Sequence, residues 1–172
     1  GMSAGVYQAA LQQRGIACET GSGTDLLQTA EVEILLQLLR LIDNPHRDIP
    51  LIAAMASPVF GFSPEELALL RAQDQTSDFY GCICACGHPT QKLRVFTGWL
   101  HAMRRESRRA ALPELLNMVV QSSGLETVFS SMEDGARRSR NIAAFSSFVT
   151  ASAQTDVHSL SELVRLLDEL IA

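Results

Sequence analysis

Apolar residues recur along most of this chain at the three- and four-residue spacing of helices that face a shared core. The clearest run lies between about Asp25 and Asp43. There Leu35, Leu38, Leu39 and Ile42 fall at i, i+3, i+4 and i+7, while Glu33, Gln37 and Arg40 share the other side. Asp43-Asn44-Pro45 ends this helix, because a proline disfavours helical geometry in the residue before it. Asp48 is placed to cap a short helix running through Leu51 to Ala56, which Ser57-Pro58 closes. Ser63-Pro64-Glu65-Glu66 then combines three start signals: a capping hydroxyl, a proline in the first turn, and a glutamate that reaches back to the cap. It predicts a helix from Pro64 to about Arg71.

After a loop containing Asp74 to Asp78, the segment Lys92 to Arg109 sets Leu93, Phe96, Leu100 and Met103 on one face and Arg94, His101, Arg105 and Arg108 on the opposite one. Pro113 opens a helix whose Leu115, Leu116, Val119 and Val120 point inward, with Gly124 as its left-handed terminator. Helical stretches follow at Leu125 to Met132 and Gly135 to Ala153. Ser159 with Glu162 repeats the capping-box signature ahead of the stripe Leu160, Leu163, Val164, Leu167, Leu170 and Ile171. Near the start, Val6, Ala9, Ala10 and Gln13 fit one helix stopped by Gly15, and Ile16 to Thr20 has the character of a single short strand. A lone strand needs partners, and no other segment alternates, so those partners would belong to a sheet outside this chain. The expected fold class is all-α, mainly helical, with that one strand near residues 16–20 as its exception. No internal repeat or linker divides it.

At 172 residues and 47% apolar content the chain can bury one substantial core. No stretch approaches the roughly 20 consecutive apolar residues of a membrane-spanning helix, so a cytoplasmic location without membrane contact is expected. The net charge of −5, with Lys92 as the only lysine, means that the overall field does not draw in nucleic acid. Any DNA contact must come from local patches. The stripe of Arg94, His101, Arg105 and Arg108, flanked by Arg104 and Arg109, is one; Arg137, Arg138 and Arg140 form another. Both have two readings, phosphate contacts that ignore sequence or an ordinary solvated helix face.

Cys82, Cys84, Cys86 and His88 place four soft donors close together. Their spacing argues against a zinc site, since paired zinc cysteines are usually separated by two or more residues and joined by a second pair from elsewhere. Cys18 is remote, and no metal is expected. The chain has no GxxxxGK[ST] phosphate loop, no HExxH and no Ser-His-Asp order, so no catalytic residue is expected and the chain alone should not hydrolyse ATP.

The stretch from Glu31 through Arg40 to Asp43-Asn44-Pro45, followed by Asp48-Ile49-Pro50-Leu51, resembles superfamily 1 helicases of the UvrD/Rep kind. It is most similar to the AddA-type helicase-nuclease subunits. The similarity continues through Ser57-Pro58-Val59-Phe60-Gly61-Phe62-Ser63-Pro64-Glu65-Glu66-Leu67, and more weakly through Leu115 to Gly124 and Arg140-Asn141-Ile142. The resemblance implies a helical, non-catalytic 2B-like accessory domain over residues 25–172. Residues 1–24 would be the end of a 2A-like motor segment, with Gly1-Met2 as a processing remnant. It implies that Phe60, Gly61, Phe62 and Ser63 approach a duplex backbone, with a helix N-terminus suited to a phosphate, and that Arg94, Arg105 and Arg108 add cations. Relatives such as UvrD carry a basic residue before the corresponding glycine run, where this chain has Phe60. Implied for the parent are ATP and Mg, the rest of the helicase motor, an AddB-like nuclease partner, and work on duplex ends in recombinational double-strand break repair. The alternative is a helical module that binds a partner protein without touching DNA.

Overall fold

The computed structural model describes residues 26–155 and 157–171. The expected helix around Val6, the strand over 16–20 and the boundary at residue 24 therefore lie outside the described residues. Among the described residues the chain forms nine helices and no strand, as the helical periodicity predicts. They are α1 (Ala30–Asp43), α2 (Asp48–Ala56), α3 (Pro64–Gln73), α4 (Phe79–Ala85), α5 (Gln91–Glu106), α6 (Leu112–Ser123), α7 (Leu125–Ser130), α8 (Gly135–Ala153) and α9 (Leu160–Ile171).

Helix α1 is the hub. Val32, Leu35, Leu36, Leu38, Leu39, Leu41 and Ile42 are all buried, because α2, α5, α7, α8 and α9 each pack against it. Sequence periodicity marks one inward face, whereas α1 is buried around most of its circumference. It begins at Ala30 rather than near Asp25, because the Thr29 amide and hydroxyl both donate to the Leu26 carbonyl, at 3.2 and 2.8 Å, and close a separate turn. Charge holds both ends of α1. At its start the carboxylate of Glu31, only 2% exposed, accepts from Arg138 Nη1 at 2.7 Å and from Asn141 Nδ2 at 2.6 Å, both on α8. Towards its end Arg40 donates to Asp168 of α9 through Nε at 2.8 Å and Nη2 at 2.6 Å.

Asp48 does not cap α2. It is the first residue of that helix, and its Oδ1 instead accepts from the Phe79 amide at 2.9 Å, securing the start of α4. Ser63 and Glu66 form the expected capping box on α3, with bonds of 3.2 and 2.7 Å. Ser159 and Glu162 do the same ahead of α9, and Gly124, at φ 72°, terminates α6 in the left-handed region. Leu93, Phe96, Leu100 and Met103 of α5 are buried as their spacing requires.

Helix α4 carries the cysteines, whose alternation hides it in the sequence. Its start is fixed by Asp78, whose Oδ1 accepts from the Gly81 amide at 2.7 Å. Because residues two apart on a helix point about 200° away from each other, Cys82 is buried and Cys84 exposed, with Cys86 half-buried at the cap. The Cys82 thiol donates to the Asp74 carbonyl at 2.9 Å and accepts from Arg71 Nη1 at 3.1 Å. The thiols therefore do not converge.

Candidate nucleic-acid interface

The loop joining α2 to α3 contains the four residues that the resemblance assigns to the duplex. Its course is set by internal hydrogen bonds. Ser57 Oγ donates to the Ala54 carbonyl at 2.7 Å, and the amides of Gly61 and Phe60 both donate to the Ser57 carbonyl, at 2.7 and 3.2 Å. The Phe62 amide reaches back to the Met55 carbonyl at 2.9 Å, and the Ser63 amide to Glu66 Oε2 at 2.7 Å. All four amides from Phe60 to Ser63 thus have partners within the protein. Gly61 sits at φ 62° with open space around its Cα. Gly61→Ala should accordingly lower stability by about 1 kcal/mol through backbone strain alone, a loss read from the urea unfolding midpoint; an unchanged midpoint would contradict the left-handed geometry.

The two phenylalanines anchor the loop. Phe62 is buried, and Phe60 meets the edge of Phe96 at 4.9 Å between ring centroids and Trp99 at 5.0 Å. The sequence places no cation directly before Gly61, but the fold supplies one from α5. Lys92 Nζ donates to the Gly61 carbonyl at 2.6 Å and to Glu66 Oε2 at 2.7 Å, and lies 4.5 Å from the Phe62 ring centre. The hydrogen bond from Lys92, backed by the Ser63 amide, holds Glu66 below its ordinary value of 4.5, so this pair stays ionised at neutral pH. The one signal in the sequence that could have pointed to this residue is that Lys92 is the only lysine in the chain.

The arginines of α5 fall into two groups. Arg94, near the helix start, donates twice to the Pro89 carbonyl, at 3.1 and 2.8 Å. Arg105 is well exposed and makes one long contact, 3.5 Å, to its neighbour Glu106. Arg108 follows in the turn after α5, exposed, and among the described residues its side chain has no hydrogen-bond or ion-pair partner. Lys92 and Arg105 are separated by about 20 Å along the helix at 1.5 Å per residue, so the loop and the distal arginines form two patches on one rod, not one cluster. In the second basic cluster Arg138 is committed to Glu31 and Arg137 to Asp134. Arg140 alone of the three is left to solvent. Among the described residues no helix is long and apolar enough to cross a membrane.

No family model matches this sequence. Individual relatives do. An ATP-dependent helicase/nuclease subunit from Latilactobacillus sakei is 31% identical over 156 residues, covering 83% of this chain and 18% of that protein. The protein of the same name from Desulforudis audaxviator is 30% identical over 97% of this chain and 14% of its own length. That from Geobacillus kaustophilus is 28% identical over 93% of this chain and 14% of its own. The chain therefore spans less than a fifth of the length of the curated relatives it matches. The resemblance carried by Glu31 to Leu67 holds along nearly the whole sequence, and this chain belongs to the AddA-type ATP-dependent helicase/nuclease family as the counterpart of one segment of its members.

Proposed function

We propose that this chain is a non-catalytic, duplex-orienting subdomain of an ATP-dependent DNA helicase and exonuclease, one that unwinds and degrades duplex ends in recombinational repair of double-strand breaks. Residues 25–172 form its 2B-like accessory domain and residues 1–24 the end of a 2A-like motor segment. The residues that bind ATP and Mg and those that cut DNA belong to other parts of the parent, which works in the cytoplasm beside an AddB-like nuclease partner. Similarity to helicase/nuclease relatives over 83–97% of this chain carries this reading.

Within the segment, α5 is the element suited to a duplex backbone. Its two cationic ends lie about 20 Å apart, which matches about six base pairs of rise at 3.4 Å each. Arg105 and Arg108 are the contacts this reading relies on, with Arg94 near the other end and the Phe60–Ser63 loop beside Lys92. The internal bonding of the loop amides and the net charge of −5 favour the second reading, a module that binds a protein partner.

Fluorescence anisotropy with a forked duplex across a salt series separates the two. Binding should weaken steeply with salt, and Arg105→Glu/Arg108→Glu should flatten the log–log slope by about 2, since each lost phosphate contact removes about 0.9. Absence of binding at low salt would overturn duplex contact by this segment and leave the protein-binding reading.

A further inference from the structure

Helix α2 turns an apolar face outward. Its inner side, Pro50, Leu51, Ala54 and Met55, is buried. On its outer side Ile49, Ile52, Ala53 and Ala56 fall at i, i+3, i+4 and i+7, with Ile49 81% exposed and Ile52 37%. Asp48 is the one charged residue of the helix, and its carboxylate is turned to the Phe79 amide. A helix apolar on every side belongs inside a protein, and an isoleucine exposed to this extent on such a face calls for a cover.

We infer that the Ile49-Ile52-Ala53-Ala56 face of α2 is covered by an apolar surface from another part of the same long polypeptide. The inference rests on the reading of this chain as a segment of a helicase/nuclease polypeptide. Two arguments select a tethered occupant. Relatives extend far beyond the aligned region, which is 14–18% of their length in the three compared above, so most of such a polypeptide lies outside this structure. The face is also small. Two isoleucines and two alanines supply far less than the roughly 800 Å² per partner that a stable interface between separate molecules buries. A contact within one chain avoids much of the association entropy and benefits from a millimolar or higher effective concentration, so a face of this size suffices.

The test uses Ile49→Cys in this chain alone and in the full-length protein, with maleimide labelling at that position followed by peptide mapping. Labelling should be rapid in the chain alone and at least tenfold slower in the full-length protein. Equal rates would overturn the inference. So would a rate that falls only when the second nuclease protein is added, which assigns the face to a partner. Slow labelling of the chain alone together with dimer sedimentation would overturn it in favour of a second copy. Duplex unwinding by the same full-length preparation tests the helicase reading separately: protection without ATP-driven unwinding would leave the docking intact and sink the activity.

Discussion

Glu31→Ala should destabilise the fold by about 3 kcal/mol, read from the urea unfolding midpoint. The carboxylate is buried and receives Arg138 and Asn141 from α8, so its removal leaves a guanidinium and an amide without partners. Breaking a buried pair by deleting one member costs about 3–5 kcal/mol, and the partial exposure of Arg138, 23%, lets it rehydrate and places the loss at the lower end. Glu31→Gln keeps one acceptor and gives up the charge-assisted bonding, for a loss of about 1.5 kcal/mol. Burial pushes the Glu31 carboxyl up, but the hydrogen bonds from Asn141, the backbone and Arg138 outweigh it and bring it below the ordinary 4.5. A depressed carboxylate contributes stability above its unfolded-state value and loses it as pH falls through the folded one. The gap between wild type and Glu31→Gln should therefore be full at neutral pH and close as pH drops through 4.5 and below. A gap that stayed constant into acid would mean that the carboxylate is not the group holding α1 to α8.

That contact also marks what can be read from sequence and what cannot. Periodicity identifies the inward face of α1 at Leu35, Leu38, Leu39 and Ile42, and capping chemistry locates the starts of α3 and α9, because these signals lie within one turn of the residues they govern. The partners of Glu31 lie 107 and 110 residues away. No local rule connects them, and Arg138 reads from sequence as one of three surface cations. Asp48 misleads for a related reason, since it sits where a cap for its own helix would be and serves the amide of Phe79 31 residues later. In α4 the alternating cysteines obscure the helix, while the Asp78 cap, followed three residues later by Gly81, is the legible signal. The candidate interface divides the same way. The loop residues are found by resemblance, but the Lys92 that lies against their carbonyl is brought in by the packing of α5.

Phe96 makes that packing testable, and its replacement should have the other large effect. The ring is 1% exposed and meets Phe60 and Phe62 edge-on, at 4.9 and 5.9 Å, with Trp99 at 6.4 Å. Phe96→Ala removes the surface on which both loop anchors rest, with an expected loss of about 3–5 kcal/mol. Phe96→Leu, which keeps much of the volume, should lose about 1.5 kcal/mol or less. Trp99 is the only tryptophan, and its Nε1 donates to Ser122 Oγ at 2.9 Å, so its fluorescence reports on this cluster alone. In the alanine variant its emission should shift to the red and become more open to quenching under conditions where the helices remain folded by circular dichroism. If the unfolding midpoint moved by less than about 1 kcal/mol-equivalent and Trp99 stayed unchanged, the aromatic cluster would not be what orders the α2–α3 loop. Its shape would then rest on the Ser57, Met55 and Glu66 hydrogen bonds. If both change while Arg105 and Arg108 still support salt-sensitive DNA binding, the distal patch of α5 engages the duplex independently of the loop.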